Sequence, residues 1–174
     1  KHLWVTDFPL LDHSPEDGRW YAMHHPFTMV GEEFEEALLA GDESKFAEMT
    51  AKAYDLVCNG YEIGGGSIRI HNPKVQEAMF KALGVSDEEA QERFGFFIEA
   101  LRYGTPPHGG IAWGIDRVCM IMTGTESIRD VIAFPKTAKA YDTMSDAPSQ
   151  VDREQLFDLS IRVHKTPTES ETEA

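Results

Sequence analysis

The chain has 174 residues, enough for one domain with a sizeable core, and its 30 acidic against 16 basic side chains give a formal charge of −14. That balance weighs against broad, nonspecific phosphate binding, which needs clustered Lys and Arg, so any nucleic-acid contact must be local. No apolar run reaches about 18 residues and no basic leader precedes an apolar stretch, which predicts a soluble, cytoplasmic protein without a membrane-spanning helix.

The apolar pattern is already running at Leu3, Trp4 and Val5, behind Lys1 rather than Met, and predicts a piece of a longer chain. Leu3 to Pro9 reads as a short strand, Ser14 to Gly18 as a turn, and Trp20 to Thr28 as a second extended segment. From Glu32 to Lys52 the Ala, Glu, Leu and Met content favours helix, broken near Gly41-Asp42. Tyr54 to Ile70 is apolar and β-branched and contains Asn59-Gly60, the dipeptide that prefers a two-residue type I′ turn, so it reads as a β-hairpin.

Asn72-Pro73 supplies an N-cap followed by proline at the first helical position, with Val75, Met79 and Leu83 as the buried stripe and Gly84 as the stop. Ser86 and Glu89 have the spacing of a capping box ahead of the stripe Phe94, Phe97, Ile98 and Leu101, which ends at Gly104. Gly109 to Gly114 reads as a strand of small residues, Ile115 to Thr123 as a short apolar helix, and Ile128 to Phe134 as a last buried strand ended by Pro135. Gln155 to Val163 reads as a short helix or strand, and residues 165–174 as a disordered acidic tail. Cys58 and Cys119 lie in apolar runs without ligand spacing and predict buried free thiols. Together these elements predict an α+β fold, an antiparallel sheet flanked by helices.

With Asn59 and Gly60 as the loop, Cys58 pairs with Tyr61, Val57 with Glu62, Leu56 with Ile63, and Asp55 with Gly64. Asp55 and Glu62 then share a face as diagonal neighbours, roughly 7–8 Å apart at the backbone. Such a pair suits either a magnesium ion shared with phosphate oxygens or a solvated acidic surface. Gly64-Gly65-Gly66 gives up packing in mid-strand, which points to the close approach of a ligand or of another backbone. Strict alternation puts Arg69 on the face opposite Glu62; one bulge in the glycine run reunites them. There its planar fork suits a carboxylate, and the plain alternative is a surface ion pair.

In the stretch from Gly109 to Arg117, the alternate positions Gly110, Ala112 and Gly114 leave one strand face nearly bare, a floor for a flat ligand. Arg117 follows in the first turn of a helix, where its charge and the helix N-terminus both favour an anion such as a triphosphate; the alternative is close strand-helix packing with Asp116 as a cap. A zinc site from His24, His25, His71 and His108 is disfavoured, because no spacing among them suits a shared metal.

The stretches WVTDFPL, MHHPFT, YDLVCNGYEIGGGSIRIH, RFGFFIEALRYGTPPHGGIAWGIDR and SIRDVIAFPKT resemble, in that order, the class II aminoacyl-tRNA synthetases and within them the bacterial aspartyl-tRNA synthetase family. GIAWGIDR resembles motif 3 of that family. The resemblance implies that residues 1–164 are the C-terminal part of a catalytic domain, without motifs 1 and 2. It implies a parent ligase that is a homodimer and activates L-aspartate with ATP and Mg2+, then transfers it to the acceptor end of the tRNA.

Carried over residue by residue, the resemblance makes His24 and Arg69 aspartate ligands, and Asp55 and Glu62 magnesium ligands. Glu62, Gly114, Ile115, Asp116 and Arg117 become the ATP-binding set, and Arg117, Glu62 and His25 the catalytic residues. Adjacent on a strand, His24 and His25 would face opposite ways, so only one would easily reach the ligand; the resemblance implies that His24 contacts aspartate and that His25 helps as the site closes. Because motif 2 is not in this stretch, the resemblance implies weak ATP binding and no aminoacylation by the chain alone. A non-catalytic paralogue acting as a binding module, or a related enzyme for asparagine or lysine, are the competing readings.

Overall fold

A computed structural model describes residues 1–163; the predicted acidic tail lies outside the described residues. The chain forms two compact units, Lys1–Ile128 and the residues from Arg129 onward. The first is built on a four-stranded antiparallel sheet in the order β1 (His2–Pro9), β4 (Thr50–Cys58), β5 (Tyr61–Ile68) and β6 (Gly109–Trp113), with a separate hairpin of β2 (Leu11–Ser14) and β3 (Arg19–Ala22). The antiparallel α+β expectation therefore holds.

The β4–β5 hairpin turns at Asn59 and Gly60, whose φ values of 52° and 89° are the left-handed pair of a type I′ turn. Cys58 faces Tyr61 and Val57 faces Glu62 as the turn requires, but Leu56 then faces Gly64 and Asp55 faces Gly65, so Ile63 is an extra residue in β5. The expected pairs Leu56 with Ile63 and Asp55 with Gly64 are thus displaced by a bulge just ahead of the glycine run. Ile63 is 7% exposed, and its carbonyl accepts from the Gly114 amide at 2.9 Å, which fixes the bulge against the strand–helix junction.

Helices α1 (Glu35–Ala40) and α2 (Pro73–Ala82) pack on the core of Leu10, Met29, Val30, Leu38, Phe46, Ile70, Val75 and Met79. Asn72 caps α2 by accepting from the Lys74 amide at 3.0 Å, with Pro73 at the first position as expected. Ser86 caps α3 (Asp87–Arg102) through the Glu89 amide at 3.2 Å, while the Glu89 carboxylate turns outward to Arg93 at 2.6 Å. The aromatic stripe of α3 closes a cage: Phe94 stacks on Phe80 at 5.4 Å, and Phe80, Phe94 and Phe97 all stand edge-on to Phe27.

Several elements depart from expectation. The Glu32–Lys52 helix is only α1 and two 3-10 turns, because Gly41 closes α1 in the left-handed region and Asp42 caps the next turn through Ser44. Thr50, Ala51 and Lys52 belong to β4 instead, drawn in by pairing with Phe8 and Pro9. The extended segment from Trp20 stops at Ala22, and Met23 to Phe27 bend toward the Phe27 cage, with Thr28 bridging to Arg69. Ile128 to Phe134 is not a buried strand: Ile128–Asp130 is a 3-10 turn, Arg129 donates to the Lys136 carbonyl at 2.8 Å, and Phe134 is exposed. Cys58 is buried as expected, whereas Cys119 is exposed, since α4 (Ile115–Thr123) fully buries only Met120. In the second unit, α5 (Arg153–Asp158) takes the place expected for a short helix or strand.

Candidate active site

The bulge at Ile63 decides what faces what. Without it, residue 69 would lie opposite residue 62; with it, Glu62, Gly65, Ser67 and Arg69 share one face of β5. Asp55 lies across from Gly65 on β4, and Ala112 across from Gly65 on β6. A Cβ placed on Gly65 would stand 2.5 Å from Asp55 Oδ1 and 3.3 Å from Glu62 Oε1, so both carboxylates converge over that glycine. Gly110 has nothing within 4 Å of its own Cβ position, and the floor expected from the small residues of β6 is open there.

Asp55, Glu62, Gly65 and Ala112 line a cleft of about 480 Å³ that also includes His24, His25, Thr28, Ser67, Arg69 and Gly114. His24 and His25 sit on a bend rather than a strand, so both line the same cleft, and the expected opposition between them does not arise. Their loop is tied down from three sides. The Gln76 side chain, 1% exposed, donates to the Pro26 carbonyl at 2.8 Å; the Ile70 amide donates to Phe27 O at 2.9 Å; and the Phe27 ring is held in its cage.

Arg69 is half-buried, and among the described residues no carboxylate lies within ion-pair distance of it. Its Nη1 donates to His25 Nε2 at 2.5 Å. A guanidinium only donates, so that ring nitrogen must be unprotonated and His25 neutral. The imidazole's affinity for a proton is lowered first by burial, then by the Arg69 charge and by His24. Because the folded protein disfavours protonation that the unfolded chain accepts, stability rises with pH; the contribution is full above the ordinary imidazole value of about 6.5 and is lost progressively as pH falls below it through the lowered folded-state value. Accordingly, an NMR titration is expected to give a His25 midpoint below 6.5, with Arg69→Ala moving it up but not past that value, since burial is the larger cause. A midpoint at or above 6.5 in the wild type would contradict the arrangement.

Arg117 Nη1 donates to the Glu62 carbonyl at 2.7 Å and lies 3.8 Å from Glu62 Oε2, so the first turn of α4 is clasped to the acidic end of the cleft. Gly114 lines the cleft; Ile115 and Asp116 are exposed and do not, and Gly114 rather than Asp116 stands at the N-cap. The four histidines considered for zinc form no metal-binding group among the described residues. Asp55 and Glu62 supply only two ligands, a set that suits a hard cation completed by phosphate oxygens rather than a closed protein cage. Sequence reasoning missed Ser67 and Thr28, which line the cleft, and Gln76, which anchors its histidine loop. A polar residue within an otherwise apolar stripe of α2 was the available signal for Gln76.

The family model described as tRNA synthetases class II (D, K and N) matches residues 1–138. The chain belongs to that family. Among curated relatives, the aspartate–tRNA(Asp/Asn) ligase of Caldanaerobacter subterraneus subsp. tengcongensis is 56% identical over 161 residues, covering 92% of this chain and 26% of the relative. The aspartate–tRNA ligase of Listeria monocytogenes is 54% identical over 166 residues, covering 95% and 27%. This chain thus spans about a quarter of the length of these relatives. Of solved structures, aspartyl tRNA synthetase from Entamoeba histolytica superposes with a TM-score of 0.57 at 24% identity over 79% of this chain and 23% of that one. The asparaginyl-tRNA synthetase of the same organism, in complex with asparaginyl-adenylate, gives 0.56 at 22% identity over 80% and 26%. These two likenesses establish the fold.

Proposed function

We propose that the full-length protein carrying this chain is an aspartate–tRNA ligase, and that the chain supplies the pocket for the aspartate side chain and the acidic half of the ATP site. The observation that carries this reading is Arg69, a half-buried cation without a carboxylate partner among the described residues, on one sheet face with the converging acids Asp55 and Glu62. Its fork receives the substrate's side-chain carboxylate bidentately. Neutral His25 holds the guanidinium in place, and His24 closes the pocket beside it.

With aspartate so held, its α-carboxylate oxygen attacks the α-phosphate of ATP, forming the mixed anhydride aspartyl-adenylate and releasing pyrophosphate. The ester-forming hydroxyl of the terminal adenosine of the tRNA then displaces AMP. Asp55 and Glu62 hold Mg2+, which neutralises phosphate charge when bound. The floor of Gly110 and Ala112 accommodates the flat base, and Gly114, Ile115, Asp116 and Arg117 bring the first turn of α4 and a guanidinium to the phosphates. No protein nucleophile is needed; positioning and charge neutralisation do the chemistry.

ATP–pyrophosphate exchange on the full-length protein, run with aspartate, asparagine and lysine in turn, tests the reading. Exchange is expected with aspartate. Exchange with asparagine or lysine in its place would reassign the substrate, and none with any of the three would favour a non-catalytic binding module.

A further inference from the structure

Ser67 is 3% exposed, and its hydroxyl has no hydrogen-bond partner among the described residues, although it lines the cleft. Its cross-strand neighbours are Ala53 on β4 and Gly110 on β6, neither with a polar side chain to offer. On β5 it stands between Gly65, over which the two acids converge, and Arg69, each two residues away and about 6–7 Å along the strand. A buried hydroxyl left unpaired is costly, and a ligand that accepts its proton recovers that cost.

We propose that Ser67 is a further substrate-binding residue, whose Oγ–H donates to the aspartate carboxylate that Arg69 receives. A carboxylate on Arg69, attached to a backbone reaching toward Asp55 and Glu62, must pass over the Ser67 position, since all four residues share one face. Two features favour an anionic acceptor: the neighbouring guanidinium supplies the countercharge, and the small flanking residues leave the hydroxyl free to rotate toward it. A hydroxyl can donate to either an acid or an amide oxygen, so Ser67 fixes the position of the substrate while the Arg69 charge does most of the selecting.

This inference rests on the ligase reading, and the experiment separates the two. In the full-length protein, Ser67→Ala is expected to raise the KM for aspartate in pyrophosphate exchange by about 10- to 100-fold, the loss of one hydrogen bond to a charged group. The KM for ATP should stay unchanged, and the melting temperature should hold or rise, because an unpaired polar group has been removed. A purely structural serine would instead lower the melting temperature and shift the parameters for both substrates together, which overturns the proposal. So does an unchanged KM for aspartate in an active wild-type background. A wild type without aspartate-dependent exchange removes the ligase reading and, with it, this role for Ser67.

Discussion

Replacing Arg69 by Ala in the full-length protein is expected to raise the aspartate requirement of pyrophosphate exchange by two to three orders of magnitude, with the ATP requirement nearly unchanged. Truncating one partner of a desolvated, hydrogen-bonded charge pair costs about 2–5 kcal/mol, at about 1.4 kcal/mol per tenfold. The guanidinium is half-buried, and a neutral imidazole already holds one edge of it. Arg69→Lys should restore little, because an ammonium keeps the charge but loses the fork. Steady-state kinetics in aspartate check both, and an unchanged requirement in Arg69→Ala removes Arg69 from the pocket.

The second large effect is expected at a residue without a side chain. In Gly65→Ala, the new methyl would stand 2.5 Å from Asp55 Oδ1 and must push that carboxylate aside. Exchange activity should fall by about 10²-fold or more, since misplacing a positioning group by about 1 Å has that cost. Gly65 lies within a strand at negative φ, so the fold itself should lose nothing and can gain from the reduced backbone freedom of the unfolded chain. Activity lost without loss of melting temperature is the expected signature; full activity would show that the two acids need not converge there.

Much of this site was legible because its parts are local. Asn59-Gly60 dictates a turn, the turn dictates which residues face each other near it, and Asp55 and Glu62 therefore share a surface without any tertiary information. Arg69 was legible only conditionally: one bulge decides its face, and the bulge falls at Ile63, held by the Gly114 amide fifty-one residues along the chain. Nothing within the hairpin encodes that contact. The histidine loop was misread as a strand for a similar reason, since its bend is set by Phe27 entering a cage of rings from α2 and α3. Thr50 to Lys52 followed helix composition on paper and joined β4 because β1 lay beside it. Ser67 carries no sequence signal of its own; its meaning comes from burial beside Ala53 and Gly110.

A crystal structure of the full-length protein with a non-hydrolysable aspartyl-adenylate analogue tests the central claim most directly. The expected result puts the side-chain carboxylate on both terminal nitrogens of Arg69, and the adenine over Gly110 and Ala112. A carboxylate bound elsewhere, with the Arg69 guanidinium still engaged only by His25, would contradict it.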